Sequence, residues 1–323
     1  MEAMRIEQIH RAIYRITAPF DRTGTVFLYL VKGERLTLID TGAADSPRTV
    51  MQTALAEIGL SLGDVELILN THAHLDHSGG NRETQRIANA AIHMHADDLP
   101  MAESTAAQVE FHTAPLRVLE LPPEAIQERA DHVTRNAGEP AGADVLLKEG
   151  GVIDLGSGVR FHVLHCPGHS PGHVAYYWES EGILFTGDAV QGQGARLGSY
   201  PYYFDAPRYR RSLRKLQELD CPTLCLGHAF HGGTLMNSPL RAGLEARVFL
   251  QASVEVADTI HRAVGVALQQ GPGLSKREIA LAALSELLYE IPQLRLRRTG
   301  MPLLAGPTLL SHIEAAMEGS YPA

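Results

Sequence analysis

The stretch THAHLDHSGG, residues 71–80, sets His72, His74, Asp76 and His77 within six positions, directly before a pair of glycines. Imidazole and carboxylate are the side chains that ligate zinc and iron, and four of them in so short a segment suit metal chemistry better than packing. The preceding run VELILN (65–70) is of the short apolar kind that makes a buried strand, so the motif lies where a strand opens into a loop. On an extended backbone, residues two apart project to one side. His72, His74 and Asp76 are therefore expected to point together while His77 leaves on the other side, an arrangement that suits two adjacent metal ions. Further candidate ligands follow: His169 in CPGHSPGH, Asp188 in FTGDAV and His228 in LGHAF. Each is read just after a strand, where a rigid sheet can hold side chains in a shared crevice.

The elements that must position these residues alternate between strand and helix. TVFLYLV (25–31) and LTLID (36–40) read as a hairpin around Lys32-Gly33-Glu34. A helix is expected next, with Ser46 as N-cap, Pro47 at its first position and apolar residues at helical spacing up to Gly59. After the extended piece AIHMH, residues 97–144 are helical in character, broken at Pro115, at Pro122-Pro123 and at Gly138 to Gly142, and read as an insertion. The sheet resumes with VRFHVLHC, HVAYYW and ILFTGD, then a helix over about 206–219 and the strand TLCLGH. Beyond about Pro239 the pattern becomes helix only, with Leu244, Val248, Val256, Ile260 and Val264 on one stripe and a stop at Gly271-Pro272-Gly273. A capping box, Ser275 to Glu278, starts the next helix, with Leu274 and Ile279 spaced as a hydrophobic staple. The expected division is a catalytic region over 1–238 and a helical subdomain over 239–323.

The 323 residues, 45% hydrophobic and 20% charged, allow one large α/β domain and an appendage. The segment MEAMRIEQIH has no apolar core and no later run approaches the roughly 20 residues of a membrane span, so neither secretion nor a membrane contact is expected. Cys166, Cys221 and Cys225 are odd in number and form no C-x-x-C pair, which speaks for packed thiols in a reducing, cytoplasmic setting. A net charge of −9 offers no general attraction for nucleic acid and favours a small-molecule substrate; the oligomeric state is left open.

The string H-x-H-x-D-H, followed in order by a PGH histidine, a GD aspartate and a GH histidine, resembles the metallo-β-lactamase superfamily over roughly the first 240 residues. The resemblance implies an α/β fold, a four-layered αβ/βα sandwich, here with a helical insertion and a C-terminal helical subdomain. It also implies that His72, His74 and His169 hold one metal ion, that Asp76, His77 and His228 hold a second, and that Asp188 bridges them. Asp40, in LIDTG, would be the family's carboxylate that orients a ligand. His173 is read as support for a ligand, and His93 and His95 as structural.

Two zinc ions are the expected cofactor, with iron or manganese as alternatives. A two-metal centre activates a bridging hydroxide as nucleophile near neutral pH, so hydrolysis is the expected chemistry, with Asp76 also orienting the nucleophile or passing on its proton. No serine triad is expected. Aspartate at position 188 resembles glyoxalase II, lactonases and related thioesterases, whereas β-lactamases proper usually carry cysteine or serine there. The LGHAF setting of His228 differs from the CGHEYT-like setting of glyoxalase II and points to another acyl ester, lactone or thioester. The aromatic segment GSYPYYFDAPRY could line an acyl pocket beneath the inserted helices, with core packing as the equal alternative. Arg208, Arg210, Arg211, Arg214 and Lys215 on one helix, and Arg295, Arg297 and Arg298 in the tail, keep a phosphodiesterase or ribonuclease as the alternative, although a solvated face is preferred. A mononuclear iron enzyme like the persulfide dioxygenases is the other alternative.

Overall fold

The structure is a computed structural model that describes residues 5–20, 24–195, 199–232, 235–270, 273–290 and 303–319. One sheet holds β1 (Ile6–His10), β2 (Ile13–Phe20), β3 (Gly24–Lys32), β4 (Leu36–Ile39), β5 (Leu67–Leu69), β6 (Ala91–His95) and β7 (Val145–Leu147), side by side in chain order. It is antiparallel from β1 to β4, including the expected hairpin, and parallel from β4 to β7. The second sheet has the order β13-β12-β11-β10-β9-β8, formed by β8 (Val152–Asp154), β9 (Arg160–His165), β10 (Val174–Trp178), β11 (Ile183–Gly187), β12 (Thr223–Gly232) and β13 (Leu235–Ala242). Only β11 and β12 pair in parallel there.

The helices are α1 (Gln52–Glu57), α2 (Leu75–Ser78), α3 (Asn81–Ala88), α4 (Leu99–Ala102), α5 (Thr105–Val118), α6 (Pro123–Asn136), α7 (Ala206–Gln217), α8 (Leu244–Gln269), α9 (Lys276–Glu290) and α10 (Gly306–Met317). Side-chain alternation along the strands builds the layers. Tyr29, Ile39 and Leu69 meet Phe161, Tyr176, Trp178 and Phe185 between the sheets. On the outer faces, Leu28, Leu38 and Ile68 pack with Leu55, and Ala175, Tyr177 and Leu224 pack with Leu213 and Phe249. The result is the four-layered αβ/βα sandwich, with α4 to α6 between β6 and β7 and α8 to α10 after the last strand. Each fully buried side chain of the size of Leu or Phe contributes about 1.5–3 kcal/mol.

Several local expectations differ from the structure. Ser46 has helical backbone angles and makes no capping bond, and the helix opens instead as a π-helical turn over Pro47–Met51. Pro115 lies inside α5 rather than breaking it; it removes the bond to the Phe111 carbonyl, and the helix ends within one further turn, at Val118. The strand β13 continues past Pro239 to Ala242, because an edge strand tolerates a proline, and helix starts only at Leu244. Leu244 and Val248 are exposed, since the first turns of α8 bury Ala246 and Phe249; Val256, Ile260 and Val264 are buried as expected. The capping box holds, with Glu278 accepting from Ser275 N at 2.8 Å and Ser275 Oγ accepting from Glu278 N at 3.2 Å. Gly271 and Pro272 lie outside the described residues, as do Arg295, Arg297 and Arg298. The three cysteines are free and buried, and no described helix is long and apolar enough to cross a membrane.

Candidate metal centre

The loop after β5 carries His72 and His74, but the chain then turns into α2, so Asp76 and His77 are helical. This change of period corrects the expectation for His77. It does not leave on the other side; its ring centre lies 4.1 Å from that of His72. His169 enters from the β9–β10 loop and Asp188 from the residue after β11. His228 is not at a strand end: it sits inside β12, where the pairing with β13 shifts register between Cys225 and Phe230. Such irregularities re-aim side chains. A Cβ at the neighbouring Gly227 would lie 2.4 Å from Asp188 Oδ1, so glycine is required for the ligands to approach.

All seven candidates converge. Three groups have ligand atoms within 4.8 Å of one another: His72 with His74 and His169; His72 with His77 and Asp188; and Asp76 with His77 and His228. Asp188 lies between them, with Oδ2 at 3.6 Å from His169 Nε2 and 3.4 Å from His228 Nε2, and Oδ1 at 3.5 Å from His77 Nε2.

The far side of each ring shows which nitrogen is free. His77 Nδ1 donates to Asp40 at 2.8 Å, His169 Nδ1 to the Tyr202 carbonyl at 2.5 Å and His228 Nδ1 to the Thr25 carbonyl at 2.6 Å. His72 Nδ1 is 3.0 Å from the Thr71 hydroxyl, which itself donates to Asp40. With Nδ1 protonated, each Nε2 presents a lone pair inward. Yet His72 Nε2 and His169 Nε2 are 3.1 Å apart, and His77 Nε2 and His228 Nε2 are 3.4 Å apart. Facing lone pairs at that distance repel unless a cation lies between them. Asp188 Oδ1 and His74 Nε2 are also buried without a hydrogen-bond partner among the described residues. Burial disfavours charge on His77, but Asp188, Asp40 and Asp76 outweigh it and lift its pKa to about 10, so in the metal-free protein a proton takes the place on Nε2 that a metal ion would take. Burial would raise the Asp76 pKa, yet His77 and His228 hold it well below the usual carboxylate range. Burial holds the pKa of His72 and His74 well below the ordinary imidazole value, leaving them neutral. A pocket of inward lone pairs and two carboxylates that stabilises positive charge fits divalent metal ions.

Asp40, at φ +62°, accepts from Thr71 N at 2.8 Å as well as from Thr71 Oγ1 and His77. His173 accepts from Asp188 N at 3.0 Å and stacks on His72 at 4.8 Å. Sequence reasoning missed Asp98. Fully buried, it accepts from Ala73 N at 2.9 Å, Ser170 Oγ at 2.7 Å and Gly172 N at 2.6 Å, tying the loop of His72 and His74 to the loop of His169. An aspartate within a helical insertion carries no signal of that role. Asp98→Ala leaves two buried N–H groups without acceptors and is expected to cost about 3 kcal/mol or more; a thermal or urea melt of the metal-free protein measures it.

Gly168 to Gly172, G-H-S-P-G, also has the G-x-S-x-G spacing of a serine nucleophile turn. Ser170 donates to Asp98 and its loop joins two strands rather than a strand to a helix, so it is not a nucleophile here. His95, Asp97 and His165 make another cluster. Its imidazoles are stacked at 4.0 Å and 11°, so their in-plane lone pairs run parallel instead of meeting, in keeping with a structural His95. The aromatic segment divides: Tyr200, Tyr203 and Tyr209 are buried in the core, while the Tyr202 and Phe204 rings lie 6.4 and 5.9 Å from His74, beside Phe111 and His112 of α5. On α7, Arg210 and Arg214 pair with Asp258, Lys215 with Glu149 and Arg208 with Asp205.

The sequence model of the metallo-beta-lactamase superfamily matches residues 21–228. A probable metallo-hydrolase of Bacillus subtilis is 31% identical over 66% of this chain and 70% of its own length. An atrochrysone carboxyl ACP thioesterase of Pseudocercospora fijiensis is 24% identical over 88% of this chain and 68% of its own. Among solved structures, a metallo-beta-lactamase family protein of Thermus thermophilus superposes with a TM-score of 0.71, covering 97% of this chain and 95% of that one at 24% identity.

Proposed function

The chain belongs to the metallo-beta-lactamase superfamily, and from that premise we propose that it is a dinuclear metal-dependent hydrolase of an ester, thioester or lactone bond in a small acyl substrate. The observation that carries this reading is the pair of ligand sets with Asp188 within 3.6 Å of both, while the outer nitrogens of His77, His169 and His228 are engaged by the protein. His72, His74 and His169 would hold one ion, Asp76, His77 and His228 the other, and Asp188 would reach both; the donor set suits zinc. When bound, the ions supply an acidified water as nucleophile and polarise the scissile carbonyl. Asp76 Oδ2 lies 3.2 Å from His228 Nε2 and its carboxylate is more open than that of Asp188, so it would orient the nucleophile. Phe111 and Phe204, 4.1 Å apart beside His74, form an apolar wall for the acyl group. The thioesterase relative supports the acyl reading because its likeness, over 88% of this chain, reaches past residue 228 into the C-terminal helices. The ion pairs along α7 speak against a phosphate-binding face.

Elemental analysis of the purified protein is expected to give close to two zinc ions per chain. In a panel of lactones, acyl thioesters, β-lactams and bis(p-nitrophenyl) phosphate, acyl substrates should turn over fastest, gaining about fourfold per methylene, from roughly 0.8 kcal/mol each, while the wall is being covered. A single iron with oxygen-dependent turnover, or phosphodiester cleavage above every acyl substrate, would overturn the reading.

A further inference from the structure

Three side chains beside the centre take no part in the chemistry above. Arg129, half-buried on α6, brings Nη2 to 3.1 Å from His112 Nδ1 and 3.2 Å from Tyr202 Oη, and its guanidinium lies 5.6 Å from the centre of the Tyr202 ring. Tyr202 Oη lies 2.8 Å from the same Nδ1. The order of donors follows: Arg129, which can only donate, gives a proton to Tyr202 Oη, and Tyr202 donates to the single lone pair of His112 Nδ1, which places the imidazole proton on Nε2. That Nε2 is buried without a partner among the described residues, in a ring 4.6 Å from the His74 ring. Arg129 meets no carboxylate among the described residues. Buried donors in folded proteins are normally paired, and a guanidinium held between rings without a counter-charge is costly.

We propose that Arg129, held by Tyr202 and His112, is the recognition site for a carboxylate carried on the acyl part of the substrate. This rests on the hydrolase reading and narrows its substrate class to acyl groups bearing an acid. A carboxylate matches one guanidinium fork, which Tyr202 and His112 hold from the other side. A phosphate dianion calls for more positive charge than this single arginine, set among Tyr202, Phe204 and Phe111, provides.

Binding and turnover test this separately. Calorimetric titration of the metal-loaded protein with succinate, glutarate and adipate, against their monomethyl esters, lets one carboxylate occupy the metals while the second reaches Arg129. In the wild type the best diacid should bind about 10- to 100-fold more tightly than its monoester, the range of a charge-assisted bond. Arg129→Gln should bring the diacid down to the monoester with metal content unchanged, and Arg129→Lys should recover part of the difference. Equal binding of diacid and monoester by the wild type, or a preference that survives in Arg129→Gln, would refute the site. In the turnover arm, thioesters ending in a carboxylate are compared with their methyl esters, and the same preference in kcat/KM should disappear in Arg129→Gln. Failure to hydrolyse either would remove the hydrolase reading alone, and the binding comparison then decides for or against Arg129.

Discussion

Asp188→Ala is expected to lower the metal content from two ions per chain towards one and to cut turnover by roughly a thousandfold, the scale of losing a preorganised charged group at a reacting centre. Among the seven candidate ligands, Asp188 is the carboxylate within 3.6 Å of nitrogens from both sets. Without it each set keeps its own side chains, but the site loses one of its two carboxylates, and the charge that offsets a second divalent ion goes with it. The fold should survive. The bond from Asp188 N to His173 at 3.0 Å and that from Gln191 to the Asp188 carbonyl at 3.0 Å are to main-chain atoms, which alanine keeps. Metal analysis with circular dichroism separates the outcomes: a folded variant with two ions and wild-type turnover would sink the assignment of Asp188.

The candidate ligands are legible because each is a charged or imidazole side chain in a short string set by glycines, and local strings survive folding. What surrounds them was less so. The sequence puts His77 on the wrong side because the motif changes from extended to helical at Leu75, a transition without a strong cap or breaker to announce it. His228 was placed at a strand end because the register shift that aims it depends on a partner strand, β13, that reads as a proline-interrupted segment. Asp98, Gln191 and Tyr202 support the centre through contacts between residues 11 to 74 positions apart, and one sequence gives no sign of which distant loop a polar side chain will meet. The layers were easier, since strands with two buried faces, such as β10, are apolar at every position. The first turns of α8 show the limit of that reading: the apolar stripe drifts around the helix, and only packing on β12 and β13 decides that Phe249 is buried and Leu244 is not.

Asp40→Asn tests the tautomer argument, because it changes one atom and leaves shape and backbone tolerance nearly intact. Asparagine accepts a left-handed conformation, so φ +62° is not an obstacle, as it would be for alanine at about 1–2 kcal/mol. The hydrogen bonds are the obstacle. Asp40 Oδ1 accepts from Thr71 N, and Oδ2 accepts from both the Thr71 hydroxyl and His77 Nδ1. An amide has one oxygen for this work. If that oxygen keeps the Thr71 N–H, the NH2 group faces His77 Nδ1, which must then accept, and the imidazole proton moves to Nε2. That nitrogen points at Asp188 and His228, and once protonated it cannot ligate. If the amide turns the other way, two buried donors face each other at Thr71, costing about 1–3 kcal/mol. The first arrangement is therefore favoured, and the variant should melt slightly below the wild type while affinity for the ion held by Asp76, His77 and His228 falls about 10- to 100-fold, as when the partner of a ligating histidine is lost. Competition with a chelator reads the affinity, and nitrogen-15 shifts of the imidazoles read the tautomer. Unchanged affinity with His77 still protonated on Nδ1 would show that Asp40 acts only in folding; lost affinity with the proton found on Nε2 would place its role in keeping the inward lone pair free.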